Sequence, residues 1–425
     1  MRRLAVVLAF LIPFFVSATA NANVVHLTVD DAIHPISAEY IARGIDEATR
    51  THAELVVIEL RTPGGLDESM RQIIQKILHS PSPVAVFVSP AGSRAASAGF
   101  FILESADVAA MAPGTNTGAA HPVLLGAKMD EIMKTKLEND AAALMRSVTA
   151  KRGRNVTVAE SAVRESKSFS DQEALNQKLI DVVSADVPAL LHAIEGRVVT
   201  RFDGKQTTLH LAGKPITEYE MTLKEKIFGT ILNPDIAFIL LVIGVLAIFA
   251  EFNHPGAILP GVVGLICILL AVFALDILPT RFAAIALLLA AFALFALEAK
   301  FTSHGILGIG GVVCMVIGGL LLVDGPIPEM RVKLATTLFV SIPIAFITIF
   351  LMSLVLKARK NPVATGIEAM IGEIGVTQTP LEPEGKVFVH GELWNATARA
   401  PIPEGSRVRV MQVNGLHVLV ESAES

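Results

Sequence analysis

The stretch "GSRAASAGFF", residues 92–101, sets one serine, Ser97, among alanines and glycines and follows it at once with two phenylalanines. It comes soon after a β-branched run, "PVAVFVS" (83–89). Ser97 is therefore expected at the start of a helix, its hydroxyl near backbone N–H groups that no helical carbonyl satisfies. A second turn of the same kind, "RTPGGLDES", follows the run "LVVIEL" (55–60). Paired glycines, Gly64 and Gly65, let a backbone approach a ligand closely and leave an amide N–H free to point at an oxyanion. Taken singly, each turn is explained by packing, because small residues are common wherever a strand turns into a helix. Together they describe what acyl transfer requires: a nucleophile on one turn and, on its neighbour, a donor for the oxygen that gains charge. Other chemistries lack their residues, since the sequence holds no GxSxG elbow, HExxH, Walker loop or dinucleotide fingerprint. The two cysteines, Cys267 and Cys314, lie inside apolar runs and form no CxxC metal site. No metal and no cofactor is expected.

The elements that position these turns are read from periodicity. Residues 24 to about 200 alternate buried-looking runs, including "DVAAMA" (107–112), with helical patterns at 37–51, 66–80 and 129–153. That alternation predicts an α/β domain with a mostly parallel sheet covered by helices. Residues 201–233 read as a polar, partly β extension and linker. Apolar runs at about 236–252, 257–275, 282–297, 305–323 and 335–356 are each near the roughly 20 residues a spanning helix needs. They predict a membrane domain of about five helices over residues 234–356. Within it, "EFNHPGAILPGVVG" (251–264) and "EAKFTSHGILGIGGVVC" (298–314) repeat one another. Repeats of this kind occur in transporter cores, but Glu251 and Glu298 stand at the edges of their runs, not at mid-membrane where a proton relay needs a carboxylate. Short β-type runs between Gly and Pro turns predict a small closed barrel of OB type over residues 366–422.

Composition agrees with this division, since 52% hydrophobic and 18% charged residues are too apolar for a purely soluble chain. A net charge of −5, with no stripe of aromatics and arginines, argues against nucleic acid as a partner. Arg2 and Arg3, the apolar "LAVVLAFLIPFFV", and small residues at Ala18, Ala20 and Ala22 read as a signal peptide over residues 1–22. The α/β domain is then expected outside the cytoplasm. "KARK" (357–360), after the last apolar run, favours a cytoplasmic end, and five crossings from an external domain finish on that same side. The expected location is the inner cell membrane, as a multi-pass protein.

As a set, "TPGGL" (62–66), "AASAG" (95–99), "GAAHP" (118–122) and "KRGRN" (151–155) resemble the membrane-bound serine proteases of the NfeD family. The likeness extends to "EALNQKLID" (173–181), to the membrane segment and to "GKVFVHGELWNATA" (385–398). The resemblance implies a ClpP/crotonase-like domain over residues 23–200, a multi-pass helical membrane domain and an OB-type barrel. It implies a serine endopeptidase that uses a Ser-Lys dyad to cleave hydrophobic segments of membrane-associated proteins. A stomatin-like membrane protein is the implied partner, and self-association into a homo-oligomer the implied assembly. Carried onto this chain, the nucleophile is Ser97, the base is Lys136, which precedes Asn139-Asp140-Ala141, and the oxyanion donors are the N–H groups of Gly65 and Ala98.

Two alternative bases stay open. Lys134 has Asp130 and Glu138 at helical spacing, which suits a solvated ion-pairing face, and related cytosolic Clp subunits use a Ser-His-Asp triad, for which His121 is the candidate. A lysine acts as base only in its neutral form, which apolar burial favours; it takes the serine proton and later returns it to the leaving amine. Arg61 stands where the family more often has Asn or Asp, which leaves the strand-end contacts open. A crotonase-type acyl-CoA enzyme shares the fold, but would have to meet coenzyme A outside the cytoplasm. A non-catalytic membrane scaffold of a stomatin-like complex would keep the repeats and the barrel without needing Ser97.

Overall fold

The computed structural model describes residues 23–123, 130–253, 258–301, 303, 305–325, 330–360 and 367–423. The expected signal peptide, and His254 and His304 of the repeat, lie outside the described residues. The chain forms two compact units, residues 1–293 with 311–341 and residues 294–310 with 342–425.

In chain order the first part contains β1 (Val24–Asp30), α1 (Pro35–Arg50), β2 (Leu55–Arg61), α2 (Asp67–Leu78), β3 (Val84–Val88), β4 (Arg94–Ala96), α3 (Ala98–Ser105), β5 (Val108–Met111) and β6 (Asn116–Gly118). It continues with α4 (Glu131–Lys151), α5 (Val156–Arg164), β7 (Ser168–Ser170), α6 (Asp171–Asn176), β8 (Val182–Val183), α7 (Val187–Ala193), β9 (Val198–Thr200), β10 (Gln206–Thr208), β11 (Ile216–Glu218) and α8 (Leu223–Ile231). The main sheet runs β11-β1-β2-β3-β5-β8, and every pair in it is parallel. Its central strands β2, β3 and β5 are nearly continuous apolar runs because both faces are covered. Leu27, Ile58, Leu60 and Val86 pack under α1, α2 and α3, while Leu55, Val57 and Phe87 face Leu190 and Ile194 on the other side. Ile41, Ile45, Ile73 and Ile77 are buried on the inner faces of α1 and α2, each contributing about 1.5–3 kcal/mol. A second sheet, β4-β6-β7, stands beside the main one and carries the serine.

The stretch 201–233, expected as a linker, is not a free tether. β9 and β10 form an antiparallel pair, and β11 adds to the sheet edge with Val24 opposite Ile216 and His26 opposite Glu218. A three-residue edge strand is too short to show a period, so its pairing is set by tertiary contact. α8 is capped by the Thr222–Glu225 box and tied to α1 through Arg43–Glu225.

The apolar region gives α9 (Pro234–Asn253), α10 (Leu259–Ile277), α11 (Phe282–Lys300), α12 (Ile306–Leu321) and α13 (Leu334–Lys360). Pro234–Phe252 and Leu259–Ile277 are long and apolar enough to cross a membrane, and the other three carry shorter apolar stretches. α9 and α10 meet at glycines: a Cβ added to Gly264 would lie 2.8 Å from the Gly244 carbonyl oxygen, the close approach that small residues permit between membrane helices. The two repeat carboxylates act as helix caps. The Gly261 N–H donates to Glu251 at 3.4 Å, and Gly305 and Gly308 donate to Glu298 at 3.1 and 3.0 Å. Each carboxylate thus meets the unsatisfied donors at the start of the following helix.

The C-terminal part is a closed barrel of β12 (Ile374–Thr377), β13 (Glu384–Val389), β14 (Glu392–Ala398), β15 (Arg407–Asn414) and β16 (His417–Ser422), in the order β12-β13-β14-β16-β15. Alternating Val387, Val389, Ala396, Val408, Val410, Val418 and Val420 fill it, as expected of an OB-type barrel.

Candidate active site

Ser97 joins β4 to α3 and holds φ 53, ψ −117, a left-handed conformation that costs a residue with a side chain about 1–3 kcal/mol. Its surroundings hold it there. The Ser97 N–H donates to the Gly118 carbonyl at 2.9 Å, and the Phe100 N–H donates to the Ser97 carbonyl at 3.0 Å. Ser97 is partly exposed, while Phe100, Phe101 and Ile102 behind it are buried; those side chains are core and do not line a groove. Ala98, the first residue of α3, carries one of the N–H groups that a helix start leaves without an intrahelical acceptor.

The glycine turn lies against the serine. A Cβ on Gly64, whose φ is +120, would stand 2.7 Å from the Ser97 Cβ and 3.2 Å from its Oγ. Gly65 bridges Ile33: Ile33 N–H donates to the Gly64 carbonyl and Leu66 N–H to the Ile33 carbonyl, both at 2.8 Å. This pairing uses the groups on either side of Gly65, and among the described residues no acceptor is recorded for the Gly65 N–H. The Thr62 hydroxyl braces the turn by accepting from the Gly64 N–H at 3.2 Å and donating to the Gly64 carbonyl at 3.1 Å. The structure therefore brings together Ser97, Gly65 and Ala98, with two amide donors beside one hydroxyl.

The candidate bases are placed differently. Lys134 and Lys136 lie exposed on the first turns of α4, about 10.5 and 7.5 Å along the axis before Ala141, where α4 enters the core with α3. Among the described residues, the apolar burial expected around a neutral Lys136 is absent. The ion pairs expected from helical spacing also go elsewhere. Glu138 accepts from Arg164 at 2.9 Å, Asp140 pairs with Arg71, and Asp130 caps α4 by accepting from the Met133 N–H at 2.6 Å. Among the described residues neither lysine has a recorded carboxylate partner. The His121 Nδ1–H donates to the Val163 carbonyl at 2.9 Å, a bond that fixes the ring and leaves Nε2 as its acceptor.

Arg61 finds its role in strand register, opposite Asp30, with which it pairs.

Three family models match the chain: "NfeD1b, N-terminal domain" over residues 23–199, "NfeD integral membrane domain" over 235–354 and "NfeD-like C-terminal, partner-binding domain" over 367–421. Membrane-bound protease PH1510 of Pyrococcus horikoshii is 33% identical over 435 residues, covering 99% of this chain and 98% of that protein. The chain belongs to the NfeD family. Membrane protein NfeD1b of Bacillus subtilis is 28% identical, covering 98% of this chain and 97% of that one. Among solved structures, the 1510-N membrane-bound stomatin-specific protease, a lysine-to-alanine mutant in complex with a substrate peptide, is 30% identical with a TM-score of 0.47. It covers 50% of this chain and 98% of that chain.

Several supporting residues of this NfeD chain escaped the sequence reading. Gly118 holds φ +114, and a Cβ there would lie 2.4 Å from the Lys167 carbonyl, so only glycine lets its own carbonyl reach Ser97 while β6 pairs with β7. Its place in "GAAHP" was the available signal. Arg154 of "KRGRN" anchors the far end of α3, donating to the Glu104 carbonyl at 2.7 Å, the Ala106 carbonyl at 3.0 Å and Asp181 at 2.9 Å. Beside it Glu104 is fully buried, and that burial pushes its carboxyl up to about 8. The helix that begins at Ser97 is thus pinned at both ends.

Proposed function

We propose that this NfeD-family protein is a membrane-bound serine endopeptidase in which Ser97 is the nucleophile and Lys136 the base. The carrying observation is the Gly64-Gly65 turn packed against a left-handed Ser97. Ser97 Oγ attacks the scissile carbonyl carbon, and the oxygen that gains charge is received by the N–H groups of Gly65 and Ala98. Lys136 takes the Oγ proton and passes it to the leaving nitrogen, and water then hydrolyses the acyl-enzyme. Because Lys136 is exposed and without a recorded carboxylate partner among the described residues, the apolar substrate segment itself covers the lysine and favours its neutral form. The substrates are hydrophobic segments of membrane-associated proteins. The partner is a stomatin-like membrane protein, held by the barrel, which matches a partner-binding family model. The protease domain lies outside the cytoplasm, the barrel inside, and the chain self-associates in the inner membrane.

A second reading keeps the protease and gives the base to His121, favoured by the Nδ1 bond to Val163 that presents Nε2 as an acceptor. Fluorophosphonate labelling of the full-length protein tests both. Wild type is expected to label and Ser97→Ala not to; a folded wild type that does not label overturns the protease. Lys136→Ala is expected to lower the acylation rate by roughly 10²–10⁴, with Lys134→Ala and His121→Ala close to wild type. Full activity in Lys136→Ala with its loss in His121→Ala passes the base to His121.

A further inference from the structure

The turn that carries Gly65 also forms the wall of a pocket. Ile33, which bridges Gly65, and Leu66, which follows it, line one side; the outer end of α10, Ile277 and Leu278, lines another, with Leu232 and Met330 completing the apolar lining. Asp31 and Asn233, both exposed, stand at its polar rim. The wall formed by the helix ends is fixed against the protease domain. Ile36 of α1 packs with Ile231, Ala237 and Ala274, and Arg43 pairs with Glu225.

We propose that this pocket is a substrate subsite taking one apolar side chain of the peptide being cleaved. The inference rests on the protease reading and adds to it that the membrane helices form part of the specificity wall. The first argument is continuity. A peptide carbonyl held at the Gly65 N–H places its neighbouring residues within about 3.3 Å per residue of extended chain, and Leu66 is the next residue along. The second is size. The pocket is a small space of about 50 Å³ with a mainly aliphatic lining, suited to one apolar side chain. The third is position, because Ile277 is the last residue of a helix apolar enough to cross the membrane. The occupying side chain is therefore held at the outer membrane surface, and the cut falls beside the outer end of the substrate's apolar segment.

The test uses full-length protein in lipid nanodiscs and a peptide series with Ala, Val, Leu or Phe at each position near the scissile bond. Leu278→Ala and Met330→Ala enlarge the pocket and Leu278→Trp fills it. At one substrate position the enlarged variants are expected to shift kcat/KM toward Phe over Ala by at least about 10-fold, and Leu278→Trp to shift it the opposite way. An unchanged ranking at every position in the enlarged variants overturns the proposal, as it also does if lipid fills the site. If Leu278→Trp cleaves nothing, the two alanine variants decide. A wild type that neither labels with fluorophosphonate nor cleaves any peptide fails the protease reading itself, a result distinct from an unchanged ranking.

Discussion

Ser97 carries its strain because three neighbours leave it no other place: Gly118 receives its N–H, α3 begins at its carbonyl, and Gly64 comes close enough that a Cβ there would overlap it at 2.7 Å. Gly64→Ala therefore adds a methyl group at φ +120, where an L residue is already strained, and pushes it into the Ser97 side chain. The expected outcome is a fall in fluorophosphonate labelling of at least about 100-fold, the scale of removing one oxyanion donor, with the far-UV circular dichroism of wild type. Labelling within twofold of wild type shows that the turn does not set the serine's geometry. The serine and the glycine pair were legible in the sequence because a strand, a small-residue turn and a helix follow one another along the chain. The surroundings of the lysines were not. Helical spacing offers Lys134 the carboxylates of Asp130 and Glu138, but Arg164 reaches Glu138 from α5 and Arg71 reaches Asp140 from α2, arrivals from 26 and 69 residues away. Local spacing ranks partners only until a better-placed cation arrives from another element.

At the level of elements, β11 is the last strand before the membrane helices, and a histidine holds it to the sheet. His26, 7% exposed, lies 2.7 Å from Glu218 of β11 through Nδ1 and 3.1 Å from Glu59 of β2 through Nε2, while the Ser89 hydroxyl donates to Glu59. A neutral imidazole has one N–H and donates to one carboxylate; the protonated ring donates to both. Burial opposes the charge, but the hydrogen bonds and charges of Glu59 and Glu218 outweigh it and raise His26 above its usual 6.5, and the same contact with His26 holds Glu59 below its usual value. A raised folded value means that the native state binds the proton more tightly than the unfolded chain. The latch therefore stabilises fully below the unfolded value and is lost as pH rises through the folded one. The melting temperature of wild type should exceed that of His26→Gln most at about pH 5.5–6, with the gap narrowing as pH rises past about 6.5. A gap that stays constant from mildly acidic to alkaline pH means the ring packs β11 without using its charge. The core strands β2, β3 and β5 were readable as largely apolar runs of four to seven residues. β11 was not, because its three residues are all exposed and only pairing with β1 makes them a strand.

For the whole molecule, hydropathy located α9 to α13 because a membrane interior leaves no choice but helix for an apolar run, whereas residues 201–233 lacked any such constraint. On the proposed topology the odd number of crossings is what separates the catalytic domain from the barrel, so the side of each can be measured independently. Cys267 and Cys314 are the chain's two cysteines, and replacing both by serine gives a background free of thiols. Lys205, with an 82% exposed side chain beside the turn between β9 and β10, and Glu404, exposed in the barrel, are then changed singly to cysteine. In intact spheroplasts Lys205→Cys should react with a membrane-impermeant maleimide, and Glu404→Cys only after the membrane is opened. The reverse pattern overturns the orientation read from the amino-terminal arginines and "KARK". Reaction of both from outside means an even number of crossings, which removes one of the five helices from the bilayer and puts the partner-binding barrel on the same side as Ser97.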